Sequence, residues 1–176
     1  MDSDIDWNCF TYNFTNDSYW RGQNYRFLTG SFITRRKLAL YKIIDSDECP
    51  FCTEDTDDIQ HAVLKCPLSR ITWQNFQRVL NKLGINYEID SKSVIYGVDR
   101  GCKNRNVINL MILKVKYKLA SPKFEERILD QRHIESMFAT QLKLELAVGK
   151  IRSRNKKKDY IELRWKGIKN FVLNNM

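Results

Sequence analysis

Apolar residues recur three and four positions apart along most of this chain, a spacing that predicts helices. In the clearest stretch they lie between positions 73 and 83, with Ser69 expected to begin the helix and Gly84 to end it. Thr34 is expected to cap an earlier, shorter helix. The apolar residues of these two helices are Leu38, Leu40 and Tyr41 in the earlier one and Trp73, Phe76, Leu80 and Leu83 in the later one.

Three more helices are predicted in the second half of the chain. The first begins near Arg105 with lysines beside its apolar face, and a long second helix is capped by Ser121 and ended by Gly149. Only residues 93–96 favour a strand, so the pattern predicts a mainly α fold with at most one short strand. The expected buried faces are Ile108, Ile112, Val115 and Leu119, then Ile134, Met137, Phe138, Leu142 and Leu146, and in a last helix Ile161, Trp165, Ile168 and Val172.

Four residues of metal-ligand type lie within eighteen positions in the first half of the chain. They are Cys49, Cys52, His61 and Cys66, in the order C-x2-C-x8-H-x4-C. Three thiolates and one imidazole at this spacing suit one tetrahedral Zn²⁺ ion. The alternative is three buried cysteines and a surface histidine, but the surrounding acidic loop offers free thiols little core. The sequence therefore predicts a zinc-stabilised helical domain.

A short helix is expected to carry the histidine, with Asp57 or Asp58 as its N-cap. His61 and Cys66 are five residues apart and would point away from each other on an ideal α-helix. Cys66 is therefore expected just past the last turn, where Pro67 favours extended geometry. Because four protein ligands leave no open position for water or substrate, the zinc is expected to be structural rather than catalytic.

Several short motifs surround these ligands in a fixed order. They are the stretch from Tyr25 to Leu38, Cys49-Pro50-Phe51-Cys52, Ile59-Gln60-His61, Cys66-Pro67, Trp73, the segment from Ser93 to Gly97, the segment from Ile108 to Leu119 with Lys116-Tyr117, and Trp165. Together they resemble the zinc-binding C-terminal region of non-LTR retrotransposon reverse transcriptases. The resemblance covers most of the chain from Trp7 onward, is specific around 26–73 and becomes loose after about 120. It implies a region that helps a polymerase to hold template RNA or target DNA.

The sequence departs from that family at one point and carries no catalytic motif of its own. The family usually has Glu-Thr before its Ile/Leu-x-His, where this chain has Asp57-Asp58. A polymerase needs paired aspartates on a hairpin to hold two metal ions, and this pair lies inside the zinc loop. The second histidine, His133, is expected at the surface beside Arg132. We therefore expect no enzyme activity and no small-molecule substrate.

The net charge of +9 is distributed unevenly. Residues 45–58 contain seven acids and no base, whereas residues 150–158 contain six bases and no acid. Such a basic segment predicts phosphate contacts with RNA or DNA, although a nuclear-localisation signal has the same composition. The lysines at 103–118 are expected to extend this basic surface. The candidate nucleic-acid-binding residues are Arg35, Arg36, Lys37, Lys150, Arg152, Arg154, Lys156, Lys157 and Lys158.

The length and composition of the chain give expectations for its domain organisation and its cellular localisation. Its 176 residues suit an aromatic-rich, zinc-binding part over 1–100 and a basic helical part over 101–176, or one continuous domain. The acidic amino terminus and the lack of a long apolar run predict a nuclear or cytoplasmic protein, neither secreted nor membrane-bound. Cys9 and Cys102 are expected to be small core residues rather than a disulfide.

Two functional classes stay open at this point. One is nucleic-acid binding, without a choice between RNA and DNA. The other is a protein-interaction module whose amino-terminal aromatic residues pack on a reverse transcriptase domain. Those residues are Trp7, Phe10, Tyr12, Phe14, Tyr19 and Trp20.

Overall fold

The computed structural model describes residues 14–98, 101–123, 128–151 and 161–174. In these ranges the chain forms helices and loops without a strand, apart from one isolated antiparallel bridge between Glu48 and Thr56. The prediction of a mainly α fold is confirmed. The helices are α1 (Ser18–Leu28), α2 (Arg35–Leu40), α3 (Pro67–Lys82), α4 (Ser91–Tyr96), α5 (Arg105–Ala120), α6 (Gln131–Ile151) and α7 (Lys169–Asn174), with a π-helical turn at His61–Lys65 that precedes α3.

Helix α5 forms much of the hydrophobic core. Every residue at 107–113 is buried, as are Val115, Leu119 and Ala120 near its end. A helix that is buried on all faces is typical of the interior of a domain. It contacts α1 and the π-helical turn, while α3 contacts α6 and the same turn. The turn is therefore where the metal-ligand region joins the core.

Helix α3 begins two residues before its predicted start. Pro67 occupies the first turn, directly after Cys66, and Ser69 lies inside the helix. The Ser69 hydroxyl donates a buried hydrogen bond of 2.6 Å to the Ala62 carbonyl instead of capping the helix. The predicted end is confirmed, because Gly84 adopts the left-handed conformation (φ 69°) that commonly follows a helix.

The predicted strand at 93–96 is wrong, because these residues belong to α4. Asp90 accepts from the Ser93 amide at 2.7 Å, and the Ser93 hydroxyl accepts from the Asp90 amide at 2.9 Å. This reciprocal pair is a capping box, which favours a helix. The hydrogen bond from the Ser93 amide also holds the pKa of Asp90 below its ordinary value.

Helix α6 begins at Gln131, well after the predicted cap at Ser121. The Leu129 amide donates to the Thr72 hydroxyl at 2.9 Å, and the Asn75 amide group donates to the Leu129 carbonyl at 3.0 Å. Because side chains of α3 bond the backbone of Leu129, that residue stays outside the helix. The predicted end at Gly149 is also wrong, since the helix continues to Ile151.

The last predicted helix is interrupted in the structure. Residues 161–164 are helical and residues 165–168 form a turn before α7 begins. Gly167 has a left-handed backbone (φ 86°), which an α-helix cannot include. The four predicted apolar positions are nevertheless all buried: Ile161, Trp165, Ile168 and Val172.

Helix α2 is short and lies largely at the surface. Leu40 and Tyr41 are apolar residues of a helix predicted to lead into the zinc site, but they are 75% and 58% exposed. The helix is held by polar contacts, because the Arg36 amide donates to the Asp57 carbonyl and the Arg35 guanidinium donates to the Glu48 carbonyl. Thr34 precedes the helix without capping it through its side chain.

Candidate metal centre

The four predicted ligands come together in one cluster. One donor atom from each of Cys49, Cys52, His61 and Cys66 lies within 4.8 Å of every other. Three of these residues are buried, and Cys52 is partly exposed. The cluster lies between the acidic loop and the start of α3.

The first two cysteines lie on a tight turn that backbone hydrogen bonds close. The Thr53 amide donates to the Cys49 carbonyl at 2.9 Å, and the Cys49 amide donates to the Asp55 carbonyl at the same distance. Thr53 adopts the left-handed conformation (φ 55°), which reverses the chain after Cys52. The isolated bridge between Glu48 and Thr56 extends this hairpin-like arrangement by one pair. Both thiols consequently face the same point.

The other two ligands lie at either end of the π-helical turn. Asp58 caps its beginning, as predicted, and accepts from the His61 amide at 2.8 Å. The Cys66 amide donates to the His61 carbonyl at 2.8 Å, an i to i+5 hydrogen bond of the π type. Cys66 itself is extended (φ −55°, ψ 129°) and lies just past the turn, which confirms the expected effect of Pro67. The wider π turn lets two residues five apart contribute to one site.

The imidazole of His61 is oriented by its two ring nitrogens. Nε2 lies 3.3 Å from the Cys52 sulfur, so this nitrogen faces the cluster. Nδ1 faces the other way and lies 3.6 Å from a carboxylate oxygen of Asp55. The ring is therefore oriented so that the lone pair of Nε2 can bind an ion in the cluster.

The arrangement fits a tetrahedral metal ion. Sulfur ligands about 2.3 Å from a zinc-like ion lie roughly 3.8 Å apart in a tetrahedron, which the 4.8 Å limit of the cluster accommodates. Three soft thiolates and one imidazole are the usual donors of structural sites. The cluster thus defines a metal-binding module with a four-ligand site of the structural type.

Polar contacts link this site to α2. The Arg36 guanidinium lies 3.3 Å from the Asp58 carboxylate, and both side chains are exposed. The Arg35 guanidinium donates to the carbonyl oxygens of Glu48 and Ser46. Lys37 donates to the Gly30 carbonyl. Within the part of the chain that the structure describes, these two candidate nucleic-acid-binding residues of α2 thus bond neutral carbonyl oxygens, whereas Arg36 pairs with an acid.

The remaining candidate basic residues are placed differently. Of the segment 150–158, residues 152–158 lie outside the described residues, as does the side chain of Lys150. Lys116 was expected on the basic surface, but it is buried, and its ammonium donates to the Ile95 carbonyl at 3.3 Å. Burial lowers the pKa of Lys116 to about 8. Desolvation also lowers the pKa of Lys114, whose ammonium lies over the Trp20 ring.

Two smaller predictions about His133 and Cys102 are confirmed. His133 is exposed and lies 3.0 Å from the Asp130 carboxylate at the start of α6. Cys102 is not in a disulfide and packs against the core. Cys9, which was likewise expected to be a core or boundary residue, lies outside the described residues.

Asp55 was not singled out by the sequence. It is one of seven acids in the loop, and apart from its position six residues before the histidine the sequence does not distinguish it from the other six. The burial of Lys116 was missed because the lysines of this helix were expected beside its apolar face, as part of a basic surface.

Comparisons with family models, with curated proteins and with solved structures gave no match. Among the described residues, none of the helices has both the length and the apolar character needed to cross a bilayer. The geometry of the metal-ligand cluster is therefore the basis of the functional assignment.

Proposed function

We propose that this protein is a zinc-stabilised nucleic-acid-binding module, similar to the tail of a non-LTR retrotransposon reverse transcriptase. In this proposal it has neither polymerase nor nuclease activity of its own. The observation that carries the proposal is the cluster of three cysteines and one histidine around a single point. The family resemblance adds the polymerase context.

Zinc is the ion that best suits the four donors. Thiolates favour zinc, copper(I) and iron–sulfur clusters over magnesium or calcium, and a mixed set of three thiolates and one imidazole is a common structural zinc set. A buried site with four protein ligands has no position for a substrate. The zinc accordingly stabilises the fold and does not act on a bound molecule.

Nucleic acid is proposed to bind away from the zinc. Three thiolates on Zn²⁺ give the centre a formal charge of about −1, and the seven loop acids at 45–58 add to it, so phosphates are repelled there. The segment 150–158, in contrast, carries six basic residues and no acid, so it attracts phosphates. Arg35 and Lys37 add two positive charges whose contacts in the structure are neutral carbonyl oxygens.

The test is a salt series with two matched triple variants. Replacing Lys156, Lys157 and Lys158 with Ala is expected to weaken binding to all sequences alike. The slope of log affinity against log salt should fall by about 2 to 3, because each lysine that neutralises a phosphate contributes about 0.9. Fluorescence anisotropy with single-stranded RNA and with duplex DNA measures both quantities.

The control removes the same number of charges elsewhere. Lys92, Lys123 and Lys143 are all exposed, and their replacement with Ala is expected to change the slope much less. Equal slopes for the two triple variants would contradict the proposal for residues 150–158.

A protein-interaction module is the second candidate, and one observation favours it. Leu40, Tyr41 and Ile43 are exposed on α2 and the loop after it. Apolar side chains exposed together often mark a docking surface. Of the amino-terminal aromatic residues, Phe14 is buried, Trp20 packs against this chain's own core and Tyr19 is half exposed. The other three, Trp7, Phe10 and Tyr12, lie outside the described residues. A complex formed through Leu40, Tyr41 and Ile43 would weaken little with salt.

A further inference from the structure

Asp55 contacts both halves of the metal centre. Its backbone carbonyl accepts from the Cys49 amide at 2.9 Å, which helps to close the turn that carries the first two cysteines. One carboxylate oxygen, Oδ1, accepts from the Thr56 amide at 2.8 Å. The other oxygen, Oδ2, lies 3.6 Å from Nδ1 of His61.

We propose that Asp55 is a positioning residue for the zinc: its carboxylate accepts the Nδ1–H of His61 and thereby directs Nε2 to the ion. A neutral imidazole carries its proton on one nitrogen only, and a hydrogen bond to that nitrogen fixes which one. Histidines that bind metals usually donate their second N–H to a carboxylate or a carbonyl. The observed 3.6 Å exceeds a hydrogen bond by a few tenths of an ångström, so a small movement of the carboxylate, which is 56% exposed, would bring the two atoms within hydrogen-bond distance.

The other acids of the loop make different contacts. Asp58 uses one oxygen to cap the π-helical turn and the other to pair with Arg36. Asp57 is buried, and its carbonyl accepts from the Arg36 amide. Among the described residues, Asp55 is the acid whose carboxylate lies within 4.0 Å of a ring nitrogen of His61. The role is thus specific to this position and is not shared by the acidic loop as a whole.

This inference rests on the proposal that the ion is zinc, and its test compares two isosteric changes of equal charge. Asp55→Asn replaces one of the two oxygens that face Thr56 and His61 with an NH2 donor, so a single acceptor oxygen remains for the Thr56 amide and the His61 ring N–H. Glu54→Gln removes the same charge from the neighbouring exposed residue. Competition with a chromophoric chelator is expected to show zinc affinity 10- to 100-fold lower in Asp55→Asn and changed less than about threefold in Glu54→Gln.

A second measurement does not depend on how the variants fold. Nitrogen-15 NMR of the zinc-loaded parent protein is expected to show His61 bound through Nε2 and protonated at Nδ1. Binding through Nδ1 would overturn the inference, and so would equal zinc affinities for the two variants. A parent protein that takes up no zinc would remove both this inference and the zinc proposal, while equal affinities in a zinc-binding parent would remove this inference alone.

Discussion

The metal-ligand loop and helix α5 are stabilised in opposite ways. The loop at 47–58 is acidic and is closed by backbone hydrogen bonds such as that from the Asp57 amide to the Asp47 carbonyl at 2.8 Å. In α5, eleven of sixteen residues are buried, nine of them apolar. The loop buries little apolar surface of its own, so its order depends on the ligands. The order of α5 depends on the burial of its side chains.

The two regions meet at the π-helical turn. Ala62 and Val63 of the turn are buried in the core, and their carbonyls accept from Ser69 and from the Trp73 indole. Loss of metal should consequently disorder the loop first and reach the core through this turn. The predictions below test how separate the two regions are.

The largest effect is expected from Cys52→Ser. Structural zinc binding contributes on the order of 10 kcal/mol, which is comparable with the stability of a whole domain. Hydrogen exchange measured by mass spectrometry should show loss of protection at 35–66, while the amides of α5 keep most of theirs. Zinc removal by a chelator should have the same effect.

The control for this change is Cys102→Ser, which makes the same thiol-to-hydroxyl replacement outside the cluster. It should leave the exchange pattern of 35–66 unchanged. If Cys52→Ser leaves protection at 35–66 intact, or removes it equally in α5, the separation of the two regions is wrong.

A smaller effect, on the core and not on the metal-ligand loop, is expected from Phe138→Ala. Phe138 is fully buried in α6, with its ring 6.1 Å from that of Phe76. Its truncation leaves a cavity and should lower the free energy of unfolding by about 3 to 5 kcal/mol. Urea denaturation of the zinc-loaded protein, followed by circular dichroism, measures this loss.

Zinc affinity should change by less than about threefold in the same variant, because Phe138 lies on α6, far from the four ligands in the sequence, and its ring packs near Phe76 of α3. Leu163→Ala, at a position 69% exposed, is the control and should cost less than about 0.5 kcal/mol. A large fall in zinc affinity in Phe138→Ala would show that the core sets the geometry of the metal site.

The third prediction concerns Lys116 and the pH dependence of the core. Its pKa is about 8 in the folded protein and about 10.4 when the chain is unfolded. Between these values the unfolded chain binds a proton that the folded chain does not, so stability rises with pH. Below pH 8 the buried ammonium is charged in both states and the cost of its burial is complete.

Lys116→Met should therefore stabilise the protein at pH 7 by at most about 3 kcal/mol, with a gain that shrinks toward pH 10.5. The hydrogen bond to Ile95 is lost in this variant and reduces the gain. Urea denaturation of parent and variant at several pH values gives the difference. Exposed Lys123→Met is the control, and a gain that does not vary with pH would contradict the assigned pKa.

The local features of this protein were predictable from its sequence. The four metal ligands lie within one short segment, so their meeting needs no long-range contact. The apolar face of α3 follows the helical period because burial selects those positions directly. In α5 the four predicted positions are buried, but burial also covers the other faces of the helix, which the period did not indicate. The cap at Asp58 and the extended Cys66 likewise depend on adjacent residues.

Features that depend on tertiary contacts were not predictable. The start of α6 is set by Thr72 and Asn75, which are more than fifty positions away from Leu129 in the sequence. The burial of Lys116 depends on α1 and α4, whose packing its own neighbours do not indicate. Helix α4 was predictable but was missed, because Asp90 and Ser93 have the spacing of a capping box in the sequence itself.

Because of the π-helical turn, the length of the gap between His61 and Cys66 is more strictly constrained than the length of the gap between Cys52 and His61. The i to i+5 hydrogen bond from the Cys66 amide to the His61 carbonyl requires four residues between these two ligands. An insertion there would rotate Cys66 about the helix axis by about 100° relative to His61. Most of the gap between Cys52 and His61 is loop, up to the cap at Asp58, and lengthening a loop by one residue there adds little to the entropic cost of closing it. A search pattern for distant homologues should therefore fix the spacing H-x4-C-P and allow the length of the preceding gap to vary.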